Sequence, residues 1–195
     1  MLVLFVRHGL TAWNEAGRIQ GQTDIPLSEA GRRQVDGWRL PAVFASARCF
    51  TSPLGRAHET AARLGLKGCA TDPRLCEMAW GAHEGETLDA LRRRHGSTMA
   101  DEEARGLDFR APGGESPREV AARLASFLGD AADGAGDIVV VAHKGILRAA
   151  IVLAFGWDML GKSPVAIRDD RAMQYDLSPD GRLTFDRIVD LRAAA

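Results

Sequence analysis

The sequence predicts an α/β fold built on a largely parallel sheet. Strand-like and helix-like segments alternate along the chain, which is the pattern of a sheet whose crossovers are helices. Two runs, Leu2 to Val6 and Ile138 to Ala142, are apolar without interruption, as strands covered on both faces are. The length of 195 residues fits one domain that buries about two thirds of its unfolded surface around a single core.

Taken in order, the first apolar run stops at Arg7, His8 and Gly9, and an irregular stretch continues to Pro26. Ser28, with Gly31 three residues on, is placed to cap a helix over AGRRQVDGW. A short strand is expected around Val43 to Ala45, after which RCFTS leads to Ser52 and Pro53 and a helix over LGRAHETAARLG, ended by Gly65. Between Lys67 and Gly114 the pattern supports one helix, around Leu88 to Arg94, followed by a polar stretch ending in RAPGGES. SPREVAARLASFLG begins with an N-cap, a proline at the first helical position and a capping-box glutamate at Glu119. The second apolar strand runs into His143, Lys144, Gly145 and an apolar helix to about Phe155. Strand-like segments at Met173 to Leu177 and Leu183 to Val189 flank the turn SPDG, and the tail Ala193 to Ala195 is expected to fray.

Composition excludes several functions. A net charge of −1 with interspersed signs leaves no basic field for nucleic acid or anionic lipid, so a small-molecule partner is expected. Cys49, Cys69 and Cys76 show neither CxxC spacing nor histidines at zinc-ligand intervals and read as reduced thiols. The stretch Gly145 to Trp157 is broken by Arg148 and falls short of the roughly 20 residues a membrane helix needs. The chain starts directly into a strand-like run with no basic leader, so a cytoplasmic location is expected.

In open α/β sheets, ligands bind beyond the carboxyl ends of strands. A strand-end histidine is commonly just a satisfied surface group, but here both of the most apolar strands end in one, His8 and His143. Arg7 joins them, and Arg56 lies near the first turn of a helix whose free amides and dipole favour anions. Together these residues describe a phosphate pocket.

The residues RHGLTAWN, from Arg7 to Asn14, resemble the RHGxTxWN motif of the histidine phosphatase superfamily, which includes phosphoglycerate mutases and many phosphomonoesterases. Gln20, Gly21, Asp24, Pro26, Leu27 and Gly31 resemble its QGxxDxPLxxxG segment, and TSPLGRA from Thr51 resembles SSPLxRA. Glu77, Met78, Trp80 and Gly81 resemble the segment carrying the acidic catalyst, Pro112 to Ser116 match a later element, and His143 stands where the second histidine does. The resemblance spans nearly the whole chain. It implies a single-domain, phosphoglycerate mutase-like three-layer sandwich with a mixed sheet of about six strands, and the segment around 80–114 is long enough to form a partial lid.

The same resemblance assigns roles. His8 is the nucleophile, suited because imidazole is neutral near physiological pH and can be oriented through its other nitrogen. Arg7 and Arg56 hold phosphate oxygens, a protonated His143 stabilises the transferring group, and Asn14, Gln20 and Gly21 bind the phosphoryl end. Glu77 is the general acid and then base, which requires a raised pKa. No metal and no cofactor is implied, because the arginines and His143 neutralise the charge. His58 and Glu59 begin an HExxH that lacks its second histidine. His58 is therefore either a helix-surface residue or part of the pocket mouth. Lys144, where many relatives carry a small residue, either faces solvent or contacts a second anionic group. His83, His95, the pair Asp169 and Asp170, and the run Arg92 to Arg94 are expected on solvated faces.

The expected activity is a metal-independent phosphatase acting on a small phosphomonoester through a phosphohistidine on His8. A cofactor-dependent phosphoglycerate mutase and a protein-directed phosphohistidine phosphatase are the alternatives. The oligomeric state stays open, a homodimer included.

Overall fold

The computed structural model describes residues 1–192, so the expected fraying of Ala193 to Ala195 lies outside the described residues. The strands are β1 (Leu2–Arg7), β2 (Arg48–Thr51), β3 (Ala70–Thr71), β4 (Ile138–Ala142), β5 (Arg171–Leu177) and β6 (Leu183–Asp190). The α-helices are α1 (Ala12–Glu15), α2 (Glu29–Asp36), α3 (Gly55–Arg63), α4 (Leu88–His95), α5 (Ser97–Glu103), α6 (Pro117–Ala132) and α7 (Lys144–Phe155).

One six-stranded sheet has the order β3-β2-β4-β1-β5-β6. Strands β1 to β4 run parallel, β5 is antiparallel to β1, and β6 is antiparallel to β5. This is the single α/β domain with a mostly parallel sheet that the sequence predicts.

The continuous apolar runs are explained by packing on both faces. Val3, Phe5, Ile138, Val140 and Ala142 point to a core with α6 and α7, while Leu4, Val6, Val139 and Val141 point to a second core with α2 and α3. The helix starts follow their local chemistry. Ser28 Oγ accepts the Gly31 amide at 3.0 Å, and Ser116 and Glu119 form the expected capping box on α6.

Two expectations about the first half need correction. The short strand expected around Val43 to Ala45 is a 3-10 turn over Ala42–Phe44, and the strand is Arg48–Thr51. Phe44 is buried from that turn, and the strand forms where residues 48 to 51 can pair with Ile138 to Val141. Likewise Cys49 and Cys69 are not reduced thiols but form a disulfide. Cys69 lies immediately before β3, whose pairing with β2 brings the two Cα atoms to 4.4 Å, a closeness that sequence spacing does not reveal. Among the described residues Cys76 is the free cysteine.

The middle segment holds the expected helix at α4 and a second one, α5, in place of the polar stretch. Its Met99 is buried in the core, which explains why that polar sequence folds. No helix among the described residues is long and apolar enough to cross a membrane.

Candidate active site

The parallel pairing of β1 with β4 aligns Arg7 with Ala142, so His8 and His143 leave the sheet side by side at its carboxyl edge. The His8 amide donates to Ala142 O at 3.0 Å, and the imidazole centroids lie 5.1 Å apart. His8 Nδ1 is 2.7 Å from Gly9 O, the orienting contact that its expected role requires. That contact assigns the Nδ1 proton and leaves Nε2 as the unprotonated nitrogen. His143 Nε2 is 2.7 Å from Ser52 Oγ at the end of β2.

Both rings are buried, and burial together with the neighbouring charges, Arg7 and Arg56 for His8 and then His8, Arg56 and Arg7 for His143, holds each pKa well below the ordinary histidine value. The protonated His143 expected from the sequence is therefore disfavoured by its own surroundings and needs an anion beside it.

Glu77 is buried at 6% exposure. Its Oε1 accepts amides from Met78 at 2.8 Å and Gly145 at 3.0 Å. Those bonds and the two arginines favour the carboxylate, yet desolvation outweighs them and raises the pKa, as the expected acid requires. Gly145 belongs to the first turn of α7, and a Cβ there would lie 2.1 Å from Glu77 Oε1.

Three buried donors around the site lack a partner, and of their residues Arg7 and Gln20 line the cavity at His8 while Arg56 lines a separate small pocket with Asp24 and Glu59. Arg7 Nε, Gln20 Nε2 and Arg56 Nε are buried and unpaired, which is costly unless an anion meets them. Thr11 and Asn14 fix the Gln20 amide by donating to its Oε1 at 2.7 and 3.2 Å. Arg56 departs from the expected phosphate fork. Its Nη1 and Nη2 donate to Thr23 O and Gly21 O at 3.0 and 2.6 Å, so Nε is the nitrogen left over. Gly21 shapes the same loop: a Cβ there would lie 2.0 Å from Glu84 Oε1.

A cavity of about 990 Å³ opens from this point, lined at its head by Arg7, His8, Asn14, Gln20, Glu77 and Lys144. Trp80, Leu88, Met99 and Phe109, from the segment between 80 and 114, form part of its wall. His58 is not brought there. Its ring nitrogens lie 3.4 Å from Thr51 Oγ1 and Thr71 Oγ1, and it lines no part of the cavity.

Two residues expected on solvated faces are elsewhere. Asp169 pairs with Arg7 Nη1 and lines the cavity, a contact across 162 positions that spacing cannot show. His83 is buried against His95 and Phe109. Asp170 pairs with Arg192 at 3.1 Å.

Known proteins resemble this chain in sequence and fold. Residues 3–180 match the family profile described as histidine phosphatase superfamily (branch 1). A probable phosphoglycerate mutase GpmB of Cronobacter sakazakii is 39% identical over 135 residues, covering 63% of this chain and 59% of that relative's length. The solved structure of a phosphoglycerate mutase from Thermus thermophilus has a TM-score of 0.72 and 29% identity, with full coverage of both chains. That of a mycobacterial glucosyl-3-phosphoglycerate phosphatase has a TM-score of 0.75 and 25% identity over 99% of each chain.

Proposed function

Because this chain belongs to the histidine phosphatase superfamily, we propose that it is a metal-independent phosphatase hydrolysing a small phosphomonoester through a phosphohistidine on His8. The observation that carries this reading is the His8 Nδ1 contact with Gly9 O, which leaves Nε2 as a neutral nucleophile in a cavity lined also by Arg7 and Gln20, each with a buried unpaired donor.

A phosphate monoester resists attack because its oxygens are negative, so the site must neutralise them and hold the attacker in line. Arg7 Nε, Arg56 Nε and Gln20 Nε2 meet the oxygens. The phosphate dianion supplies the charge that favours protonation of His143 beside it. His8 Nε2 attacks phosphorus as the ester P–O bond breaks, and the Glu77 proton passes to the departing alkoxide. The Glu77 carboxylate then takes a proton from water as that water attacks the phosphohistidine. Inorganic phosphate leaves, and His8 and Glu77 return to their starting states. The segment from 80 to 114 acts as a partial lid, a role supported by its contribution to the cavity wall.

Mutase chemistry is the second reading, favoured by the names of the relatives. It would need further basic groups to retain a bisphosphorylated intermediate. Two of the three arginines of α4 are engaged within the lid, Arg92 with Glu103 at 2.8 Å and Arg94 with Glu86 at 3.1 Å, which supports the phosphatase.

Phosphate release from a panel of phosphomonoesters, including 3-phosphoglycerate with its bisphosphate cofactor, tests both readings in excess chelator. Turnover that survives the chelator and disappears in His8→Ala is expected. Interconversion of phosphoglycerates without phosphate release would overturn the ranking.

A further inference from the structure

Phosphoryl transfer as derived above leaves one buried hydroxyl unused. The strand order β2-β4-β1 sets three strand ends in a row at the carboxyl edge of the sheet, and these deliver Ser52, His143 and His8 in that order. The Ser52 amide donates to Val141 O at 3.2 Å, which seats the residue beside the end of β4. Ser52 and His143 are both fully buried, and Ser52 Oγ is 2.7 Å from His143 Nε2. The His8 and His143 rings lie 5.1 Å apart, centroid to centroid.

Counting donors and acceptors fixes the direction of the Ser52 contact. Ser52 Oγ accepts the Leu54 amide at 3.3 Å, and among the described hydrogen bonds its own proton has no acceptor other than His143 Nε2. His143 is the N-cap of α7, yet its side chain caps no amide, and its Nδ1 is buried without a partner. If Nε2 carried the ring proton and donated it to Ser52, two buried groups would stay unsatisfied, the hydroxyl proton and a bare Nδ1. If Ser52 donates to Nε2, the ring proton sits on Nδ1, and that single N–H is left over. Each unsatisfied buried group costs free energy, so the second arrangement is favoured.

We infer, on the phosphatase reading of the site, that Ser52 is a positioning residue: its hydroxyl donates to His143 Nε2 and keeps the proton of the neutral ring on Nδ1, as a donor to the phosphoryl group beside His8. The tautomer matters because the surroundings of the ring favour its neutral form. Burial opposes a positive charge there, and so do His8 and Arg7 at the end of β1, Arg56 on α3 and Arg123 on α6. A neutral imidazole donates from one nitrogen only, and a bare Nδ1 would meet a phosphoryl oxygen lone pair to lone pair. With Ser52 in place, Nδ1 carries a proton in the neutral ring and in the cation alike. When the phosphate dianion draws a second proton onto the ring, Nε2–H donates to Ser52 Oγ and the hydroxyl turns to accept it.

Proton–nitrogen NMR of histidine-labelled protein reads the tautomer directly, and comparison with His143→Gln assigns its signals among the five histidines. In the wild type at neutral pH, His143 is expected to show a protonated Nδ1 and a bare Nε2; the reverse would overturn the inference. In Ser52→Ala the ring should move toward the Nε2–H form that free histidine prefers. Inorganic phosphate should then bind about tenfold or more weakly in calorimetry, and kcat/KM for p-nitrophenyl phosphate should fall by a similar factor, the scale of a hydrogen bond to a charged group. Both losses should shrink as pH falls, because the doubly protonated ring donates from Nδ1 with or without Ser52, whereas a packing defect would be the same at every pH. Ser52→Thr, which keeps the hydroxyl, should restore the tautomer and most of the affinity. An unchanged tautomer in Ser52→Ala, or a loss of affinity that does not vary with pH, would also overturn the inference. Failure of the wild type to release phosphate from any ester, while phosphate binding still depends on Ser52 in this way, would instead sink the phosphatase reading and leave the role of Ser52 standing.

Discussion

Gly145→Ala offers a direct perturbation of Glu77, the proposed acid of this site. The added Cβ would stand 2.1 Å from Glu77 Oε1 and 3.3 Å from Met78 Cβ. Ordinary carbon contact lies near 3.5 Å, so the carboxyl must retreat by about 1 Å or more, weakening the amide bond that Gly145 donates to it. A displacement of that size in a positioned catalytic group costs about 100-fold. The variant should still fold, because the residue is helical and alanine favours a helix over glycine by about 1 kcal/mol. The assay compares kcat/KM, which reports phosphoryl transfer to His8 and not the later hydrolysis, for an alkyl phosphate, whose alkoxide needs a proton to leave, and for p-nitrophenyl phosphate, whose phenolate does not. The alkyl ester is expected to lose about 100-fold and the aryl ester less than about tenfold. Equal losses on both esters, or no loss on either, would refute the assignment of Glu77 as the acid.

Further outcomes follow from other contacts. Burial raises the Glu77 pKa, so the acid form persists above the usual carboxylate range, and kcat for alkyl esters should decline only as pH climbs through that raised value; Glu77→Gln should abolish this limb of the pH profile. His8 and His143 are held below their ordinary pKa of 6.5, so the stability their neutral forms contribute is present above that value and lost as pH falls through their depressed values. Thermal melts taken from pH 7 downward should show the loss, and it should be smaller in His143→Gln. Asp169→Ala releases Arg7 Nη1, and because the pair is half-exposed on the Asp169 side, KM should rise by less than about tenfold with kcat nearly constant. Breaking the Cys49–Cys69 link, which spans 20 positions, should lower unfolding free energy by about 3 kcal/mol in urea titrations, and a reductant should have no further effect on Cys69→Ser.

What the sequence determined by itself was the part governed by near neighbours. Runs such as IVVVA announce a strand covered on both faces, and Ser28 and Ser116 announce helix starts, because caps and periodicity act within a few residues. His8 and His143 were legible as partners because both of the most apolar strands end in a histidine, and the β1 and β4 register sets the two side by side. Tertiary structure decided what depends on groups far apart in the chain. Residues 42 to 44 form a turn because pairing to β4 selects residues 48 to 51 instead, and Cys49 meets Cys69 because β3 docks on β2. Only the folded loop engages Arg56 with the carbonyls of Gly21 and Thr23, and only the fold sets Asp169 on Arg7 and turns His58 away from the cavity. The reason is common to all of these: a side chain's contacts and electrostatic surroundings are a property of three-dimensional packing, not of its near neighbours in the chain.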